Sequence, residues 1–269
     1  MGAATQDDVW HYRAATESDA ARRVTAALLE ACRIAPHHKV LDLACGGGNP
    51  SVRIATHLVT NGMVFAVDDD AAALRKIPRV TDAAGRRNLF VCCAPAEHLP
   101  FPDAAFDAVT CRFGIMFFHR ADCAISELRR VLRPKGRAAF AAFAEPAHNP
   151  LYRAIEAAFA DVRVDASRCS AQLFRYSDAD ELDAVLCRNG LEAVERREIP
   201  IGFGGPLPEV MLRHILRTTY AAALASLIGA AQAAFAHSLR QRLSECSSGG
   251  TEMARYRVVA ARRRPLDRA

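Results

Sequence analysis

The rhythm of apolar and polar positions changes along this chain. Between Ser18 and Cys32, Ala20, Val24, Ala27, Leu28 and Ala31 recur at helical spacing, and Pro36 closes the segment. Lys39–Ala44 is a short apolar run holding Asp42, the pattern of a buried strand. Pro50 stands where a helix over Ser51–Val59 begins, a position at which its missing N–H costs nothing. Asn61-Gly62 signals a turn. Met63–Val67 reads as a second buried strand, ending in Asp68-Asp69-Asp70, and a helix over Ala71–Lys76 breaks near Pro78. Leu89–Cys93 and Phe106–Cys111 read as strands. Asp122–Leu132 is a helix with Ile125, Leu128 and Leu132 on one face. Pro134-Lys-Gly136 predicts a turn before a strand over Arg137–Ala144.

Strand and helix therefore alternate from residue 39 to residue 144, the signature of a parallel sheet covered on both faces. Such sheets bind ligands at the carboxyl ends of their strands, near the switch in strand order. After residue 145 the pattern changes. Helices are expected over Asn149–Asp161 and Asp178–Asn189, the second stopped by Asn189-Gly190. Leu191–Ile199 and Glu252–Ala261 alternate like strands. Between them lie a Gly/Pro-rich hinge, Gly202–Pro208, and a largely helical insert, Glu209–Leu243. Three regions follow: residues 1–35, 36–144 and 145–269, the last with a helical insert at about 206–245.

Composition supports a packed core, with 51% hydrophobic and 24% charged residues in 269. The net charge of +5 is mild and its arginines are scattered, so no nucleic-acid partner is expected. The run Arg262–Arg268 reads as a solvated end. The opening MGAATQDDVWHYR carries early acids and no apolar core, so no secretory leader is expected. The most apolar run, Tyr220–Ala236, carries Ser226 and Gln232, falls short of a membrane span and reads as a buried helix. No membrane partner and a cytoplasmic location follow. The nine cysteines are then reduced thiols, with Cys92-Cys93 read as small core residues. Cys32, His37, His38 and Cys45 match no zinc spacing, so no metal is expected.

The candidate chemistry begins at VLDLACGGGNPS, residues 40–51. A glycine-rich turn from strand to helix lets the backbone approach a ligand closely. A dinucleotide fingerprint needs G-x-G-x-x-G; Gly46 and Gly48 fit, but Ser51 stands third. No Gly-Lys-Ser/Thr follows, which excludes a P-loop. At the end of the second strand, the Asp68 carboxylate can accept hydrogen bonds from both ribose hydroxyls of NAD or of any adenosine ligand. Asp69 and Asp70 could equally cap the following helix.

Taken in order, VLDLACGGGNPS, GMVFAVDDD, AEHLPFPDAAFDAVTCRFG and ELRRVLRPKGRAAFAAF resemble the successive motifs of class I S-adenosylmethionine-dependent methyltransferases. Within these, the chain is most similar to the small-molecule branch that includes the ubiquinone/menaquinone methyltransferases, over about residues 36–144. The resemblance implies a Rossmann-like, doubly wound, mostly parallel α/β sheet with N-terminal helices and a helical lid insert. Residues 1–35 would be an N-terminal helical cap and 36–144 the S-adenosylmethionine-binding core. Residues 145–269 would complete the sheet, with the insert as substrate lid. The implied activity is methyl transfer to O, N or C of a small-molecule acceptor, in secondary metabolism or quinone biosynthesis, leaving S-adenosylhomocysteine. A homodimer is left open. The alternatives are a non-catalytic binder of the same cofactor and an NAD(P)-linked oxidoreductase.

The resemblance also implies residue roles. Ala44, Cys45, Gly46 and Gly48 would line the methionine half of the cofactor, with Asp42 behind them. Asp68 would hold the ribose hydroxyls and Asp69 would lie beside the adenine edge. Ala96 and Glu97 would meet the adenine, the Ala96 N–H aimed at a ring nitrogen. Arg112 and Phe113 would sit near the transferable methyl. One departure stands out: where the family often has an Asp receiving the adenine amino group, this chain has Pro95, with neither side-chain acceptor nor N–H. A sulfonium methyl is already activated, so alignment and exclusion of water do most of the work. If the acceptor must lose a proton, His119, Glu145 and His148 are the candidate bases. Trp10, His11 and Tyr12 are read either as a cover over the cofactor or as an aromatic anchor. In the insert, Met211, Leu212, Ile215, Leu216, Tyr220, Leu224 and Leu227 form an apolar stripe that serves packing or a lid wall. Asn149-Pro-Leu-Tyr152 is similar to the Asn-Pro-Pro-Tyr box of nucleic-acid amino-methyltransferases. It follows the fifth strand rather than the fourth, so it reads as a helix start capped by Asn149.

Overall fold

The computed structural model describes residues 19–77, 87–202, 220–247 and 252–264. Within them, seven strands form one sheet: β1 (Lys39–Leu43), β2 (Met63–Asp68), β3 (Leu89–Cys93), β4 (Phe106–Arg112), β5 (Leu132–Phe143), β6 (Leu191–Gly202) and β7 (Glu252–Arg263). Their order is β3-β2-β1-β4-β5-β7-β6. The pairs β1–β2, β1–β4, β2–β3 and β4–β5 are parallel. β7 runs against β5: Ala144 N–H donates to Arg255 O near one end and the Arg263 guanidinium to Leu132 O near the other. This is the expected doubly wound, mostly parallel sheet. The chain leaves β1 toward β2 and returns on its other side as β4, which places the switch point between β1 and β4.

Two compact units make up the described chain. The first holds the residues up to Ala142, Asp180–Arg197 and those from Val258 onward. Here helix α1 (Asp19–Cys32) packs on β4, and Cys32 Sγ lies 3.3 Å from Val109 O. After β1 comes a short helix, α2 (Ser51–Arg53), which widens over Ile54–Leu58 so that Val59 N–H reaches back to Ile54 O. Asn88 explains the widening: its amide donates to Ala55 O at 2.7 Å and to Val59 O at 3.0 Å. Helix α3 (Ala71–Leu74) follows β2, and α4 (Ala121–Val131) buries Ala124, Ile125, Leu128 and Val131 as its periodicity predicts. The expected turn at Pro134-Lys-Gly136 lies inside β5. Phe106 pairs with Leu132 but Ala108 with Arg137, so the extra residues are absorbed as a bulge. Cys92 and Cys93 are not core residues. β3 is a sheet edge, so Cys92 is half-buried and Cys93 exposed. All nine cysteines are free. Arg262 and Arg263, read as part of a solvated tail, belong to β7, where Arg262 pairs with Glu192 at 3.0 Å.

The second unit holds Phe143–Ala179 and Glu198–Arg257. Helix α5 (Pro150–Asp161) follows a tight turn, Pro146–His148. A helix absent from the sequence reading, α6 (Ser167–Leu173), comes next; α7 (Ala179–Arg188) lies almost wholly in the first unit. Asn149 precedes α5 but does not cap it through its side chain. Fully buried, its amide donates to Ala144 O and Glu145 O, each at 2.9 Å, and its oxygen accepts the Arg255 N–H at 3.0 Å. Those bonds use both amide hydrogens and tie the oxygen to β7, and the side chain is fully buried, which suits a structural role rather than a grip on a target amine. The Tyr220–Ala236 run is not one buried helix. It divides into α8 (Ala221–Ala225) and α9 (Ala230–Ser247), separated at Gly229 with φ +55°. Only Tyr220, Ala223, Leu227 and Phe235 of the run are buried, because most of its alanines offer too little apolar surface to draw the segment inward. Phe235 packs on Phe159 of α5 at 4.3 Å between ring centres. Among the described residues, no helix is long and apolar enough to cross a membrane. The expected aromatic cluster at Trp10–Tyr12 and the insert residues Met211, Leu212, Ile215 and Leu216 lie outside the described residues.

Candidate functional site

A cavity of about 210 Å³ opens in the first unit at the carboxyl ends of β1 to β4. Leu43 and Ala44 line it from β1, Val67, Asp68 and Asp69 from β2, and Ala94, Ala96 and Glu97 from the loop after β3. Phe113, Gly114, Phe117, Phe118 and His119 line it from the loop after β4. Of the residues expected at a site, Ala44, Asp68, Asp69, Ala96, Glu97, Phe113 and His119 are thus brought together.

The glycine turn is shaped by backbone conformation. Gly46 and Gly48 have φ of +53° and +93°, and Ala44, without glycine's freedom, has φ +56°. A left-handed residue with a Cβ costs about 1–2 kcal/mol, a strain concentrated at functional sites. The three glycines nearby serve different ends. A Cβ at Gly46 would meet nothing within 4 Å. One at Gly48 would fall 2.8 Å from Ile77 Cγ1, and one at Gly114 would fall 2.4 Å from the Ala44 Cβ. Gly48 and Gly114 therefore allow close packing, whereas Gly46 borders open space.

Asp68 ties the turn to β2. Its Oδ2 accepts the Gly46 N–H at 2.8 Å and its Oδ1 the Asp70 N–H at 2.9 Å. Each carboxylate oxygen has two acceptor positions, so one on each is left for a ligand hydroxyl. Asp70, not Asp69, caps α3: its Oδ1 accepts the Ala72 N–H at 2.7 Å. Asp69 is exposed and faces the cavity. After β3, the buried Ala96 has an N–H with no hydrogen-bond partner among the described residues. Glu97 Oε1 accepts the Arg120 N–H at 3.1 Å, fastening the loop after β3 to the loop after β4.

Asp42 lies behind the turn, fully buried, and takes hydroxyl hydrogen bonds from Ser51 and, at 2.8 Å, from Thr110. Burial pushes its carboxyl up to about 6, against the pull of those bonds and of Arg112. Ser51, at the third position of the dinucleotide fingerprint, thus spends its hydroxyl inward. Cys45 is buried, its N–H bonded to Val67 O at 3.0 Å, and burial pushes its thiol up, away from nucleophilic use. Arg112 lines no part of the cavity. It reaches Thr25 Oγ1 of α1 at 2.9 Å and lies 6.0 Å from the centre of the Phe113 ring. Glu145 and His148 are exposed residues of the second unit. Among the described residues, no group of three or more His, Cys, Asp or Glu is placed to hold a metal ion.

The sequence reading did not single out Leu43, Val67, Ala94, Gly114, Phe117 or Phe118. The aromatic pair in FGIMFFHR, directly after a strand, was the available signal for the last two.

Comparison with known proteins places these features in context. A family model described as a methyltransferase domain matches residues 40–136. A ubiquinone/menaquinone biosynthesis C-methyltransferase, UbiE, of Cellvibrio japonicus is 36% identical over 124 residues, 46% of this chain and 49% of that protein. The protein of the same name from Paraburkholderia phymatum is 31% identical over 181 residues, 63% of this chain and 73% of that protein. The chain spans about half the length, or less, of the first curated relatives it matches. Among solved structures, a putative methyltransferase from an antibiotic biosynthesis pathway of Anabaena variabilis superposes with a TM-score of 0.61. It is 18% identical and covers 89% of this chain and 96% of its own, a likeness of fold.

Proposed function

The chain belongs to the S-adenosylmethionine-dependent methyltransferase family, with S-adenosylmethionine as its cofactor, and we propose that it transfers a methyl group to a small-molecule acceptor. One observation carries the reading: Asp68, with an acceptor position spare on each oxygen, lines the cavity while its Oδ2 holds the N–H of Gly46, whose own flank is open. The residues present fit an S-adenosyl group. Asp68 would accept from the ribose hydroxyls, and the unpartnered N–H of Ala96 would donate to an adenine ring nitrogen. The bare Cα of Gly46 would let the methionine half pass. Asp42 stays behind the turn and holds it to α2 and β4 through Ser51 and Thr110.

When bound, the cofactor supplies a methyl on a sulfonium, already activated toward a nucleophile. The protein's part is to fix the ligand's orientation and keep water out, which needs no strong base. Where the acceptor must lose a proton, His119 is the expected base that lines the cavity. Phe113, held in the left-handed region and bonded through its N–H to Ala141 O at 2.9 Å, sets the wall beside Ala44. The relatives' names point to methylation at carbon of a quinone-type acceptor. That likeness supports a small-molecule acceptor as the class and a quinone precursor as the first compound to try.

Calorimetric titration with S-adenosylhomocysteine tests the reading, with NADH and NADPH alongside. Micromolar binding of the first alone is expected. Binding of a dinucleotide, or of none of the three, would overturn it. Turnover with candidate acceptors then separates an enzyme from a binder.

A further inference from the structure

The loop after β3 lacks the acceptor that an adenine amino group calls for. Pro95 has no polar side-chain atom and is exposed. Yet the neighbouring groups are those an adenine edge needs. The ring nitrogen N1 and the exocyclic amino group are adjacent on the base, so their partners must be adjacent on the protein. The Ala96 N–H is a buried donor with no described partner. Next to it, the half-buried Glu97 lines the cavity. Its Oε1 is pinned by the Arg120 N–H, while its Oε2 has no partner among the described residues. A carboxylate accepts and cannot donate when ionised. Facing them is Phe117, which ends the short turn Ile115–Phe117. Ile115 and Met116 are fully buried and fix that turn, yet the Phe117 ring is 44% exposed while lining the cavity. An aromatic ring held toward a cavity by buried neighbours is a surface for a flat ligand to cover.

We infer that Glu97 reads the adenine amino group in place of the missing residue 95 carboxylate, and that Phe117 covers the face of the base. The inference rests on the cofactor reading above and deepens it. Residue 97 follows the N–H donor rather than preceding it, and the Arg120 N–H holds the longer side chain in place. Asp69, the other carboxylate that lines the cavity, follows β2 and is not on the loop that carries the Ala96 N–H, so it serves as the comparison residue.

The test uses the full chain and two ligands, S-adenosylhomocysteine and its 6-oxo analogue S-inosylhomocysteine, titrated by calorimetry. The 6-oxo group accepts where the amino group donates, and its ring N1 carries a proton. The wild type is expected to prefer the adenosyl ligand by at least about tenfold, because the analogue sets a carbonyl against a carboxylate. Glu97→Gln keeps an amide oxygen for the Arg120 N–H and puts a donor where Oε2 was. The preference should then fall by at least about threefold, the remainder coming from the analogue's N1–H, which still opposes the Ala96 N–H. Asp69→Asn should leave the ratio unmoved. Phe117→Ala should weaken both ligands about tenfold and leave the ratio alone. Equal binding of the two ligands by the wild type overturns the inference without any variant, as does an unchanged ratio in folded Glu97→Gln. Failure of the wild type to bind either ligand defeats the cofactor reading itself, a different outcome from either of these.

Discussion

Replacing Asp42 by Asn should change how stability depends on pH. Asp42 is fully buried, its carboxylate bonded to the hydroxyls of Ser51 and Thr110, with Arg112 as the cation that acts on it. The thiols of Cys32, Cys45 and Cys111 sense its charge, and burial pushes Cys32 and Cys111 up to about 12, so they stay neutral. Burial outweighs the hydrogen bonds and raises the Asp42 carboxyl from 3.8 to about 6. The folded state therefore binds this proton more tightly than the unfolded chain. The stability it contributes is full below pH 3.8 and is lost as pH rises through about 6. With each tenfold change in proton affinity worth about 1.4 kcal/mol, the loss amounts to roughly 3 kcal/mol. Asn cannot titrate. It carries a fixed cost, since one of its two polar atoms now donates and one hydroxyl must turn round, but no cost that grows with pH. Urea unfolding followed by circular dichroism should show the stability difference, wild type minus Asp42→Asn, falling by about 2.4 kcal/mol between about pH 4 and about pH 7, the rest having gone below pH 4. Parallel profiles would mean that Asp42 is ionised throughout, and that its two hydroxyl bonds and Arg112 outweigh burial.

Asp68→Ala should weaken S-adenosylhomocysteine binding at least about tenfold by calorimetry, because it removes the charged acceptor for the ribose and frees the Gly46 and Asp70 N–H groups. Gly46→Val should fold, at a cost of about 1–2 kcal/mol for a side chain at φ +53°, yet lose the ligand, since its Cβ projects into the open space beside the turn. Gly114→Ala should do the reverse: its Cβ would fall 2.4 Å from that of Ala44, so a destabilisation of about 1–3 kcal/mol is expected in urea. Asn149→Ala should destabilise by about 2–3 kcal/mol, because it strands the buried Ala144 O and the part-buried Glu145 O and Arg255 N–H; a fully stable variant would refute this structural role.

What could be read in advance was what the local chain demands. Leu89–Cys93 is a strand with the predicted bounds, and Lys39–Ala44 and Met63–Val67 are right to within a residue, because runs of apolar residues between turn signals have few other uses. Gly46 and Gly48 announce positive φ by being glycine. The misses depend on residues far away in the chain. Nothing near Ile54 announces a widened helix, because the cause is the amide of Asn88. Pro134-Lys-Gly136 has turn chemistry, but pairing with β4 holds it in the sheet. Cys92 and Cys93 look like core until β3 is known to be an edge.

The site divides along the same line. Ala44 at φ +56° carries no mark in sequence, and its conformation becomes affordable only because Gly114, on the next strand's loop, has no Cβ to strike. The pair is one structural unit split across β1 and β4, at the switch point where the ligand is expected. Glu97 and Arg120 are a second such pair, joining the loops after β3 and β4. A motif search sees Pro95 as a loss, because it compares position with position. The cavity presents a donor at Ala96, an acceptor at Glu97 and a ring at Phe117, so the chemistry missing at residue 95 is supplied by residues on two loops. A substitution in one of these loops should therefore be judged against its partner across the cavity before it is judged against the family pattern.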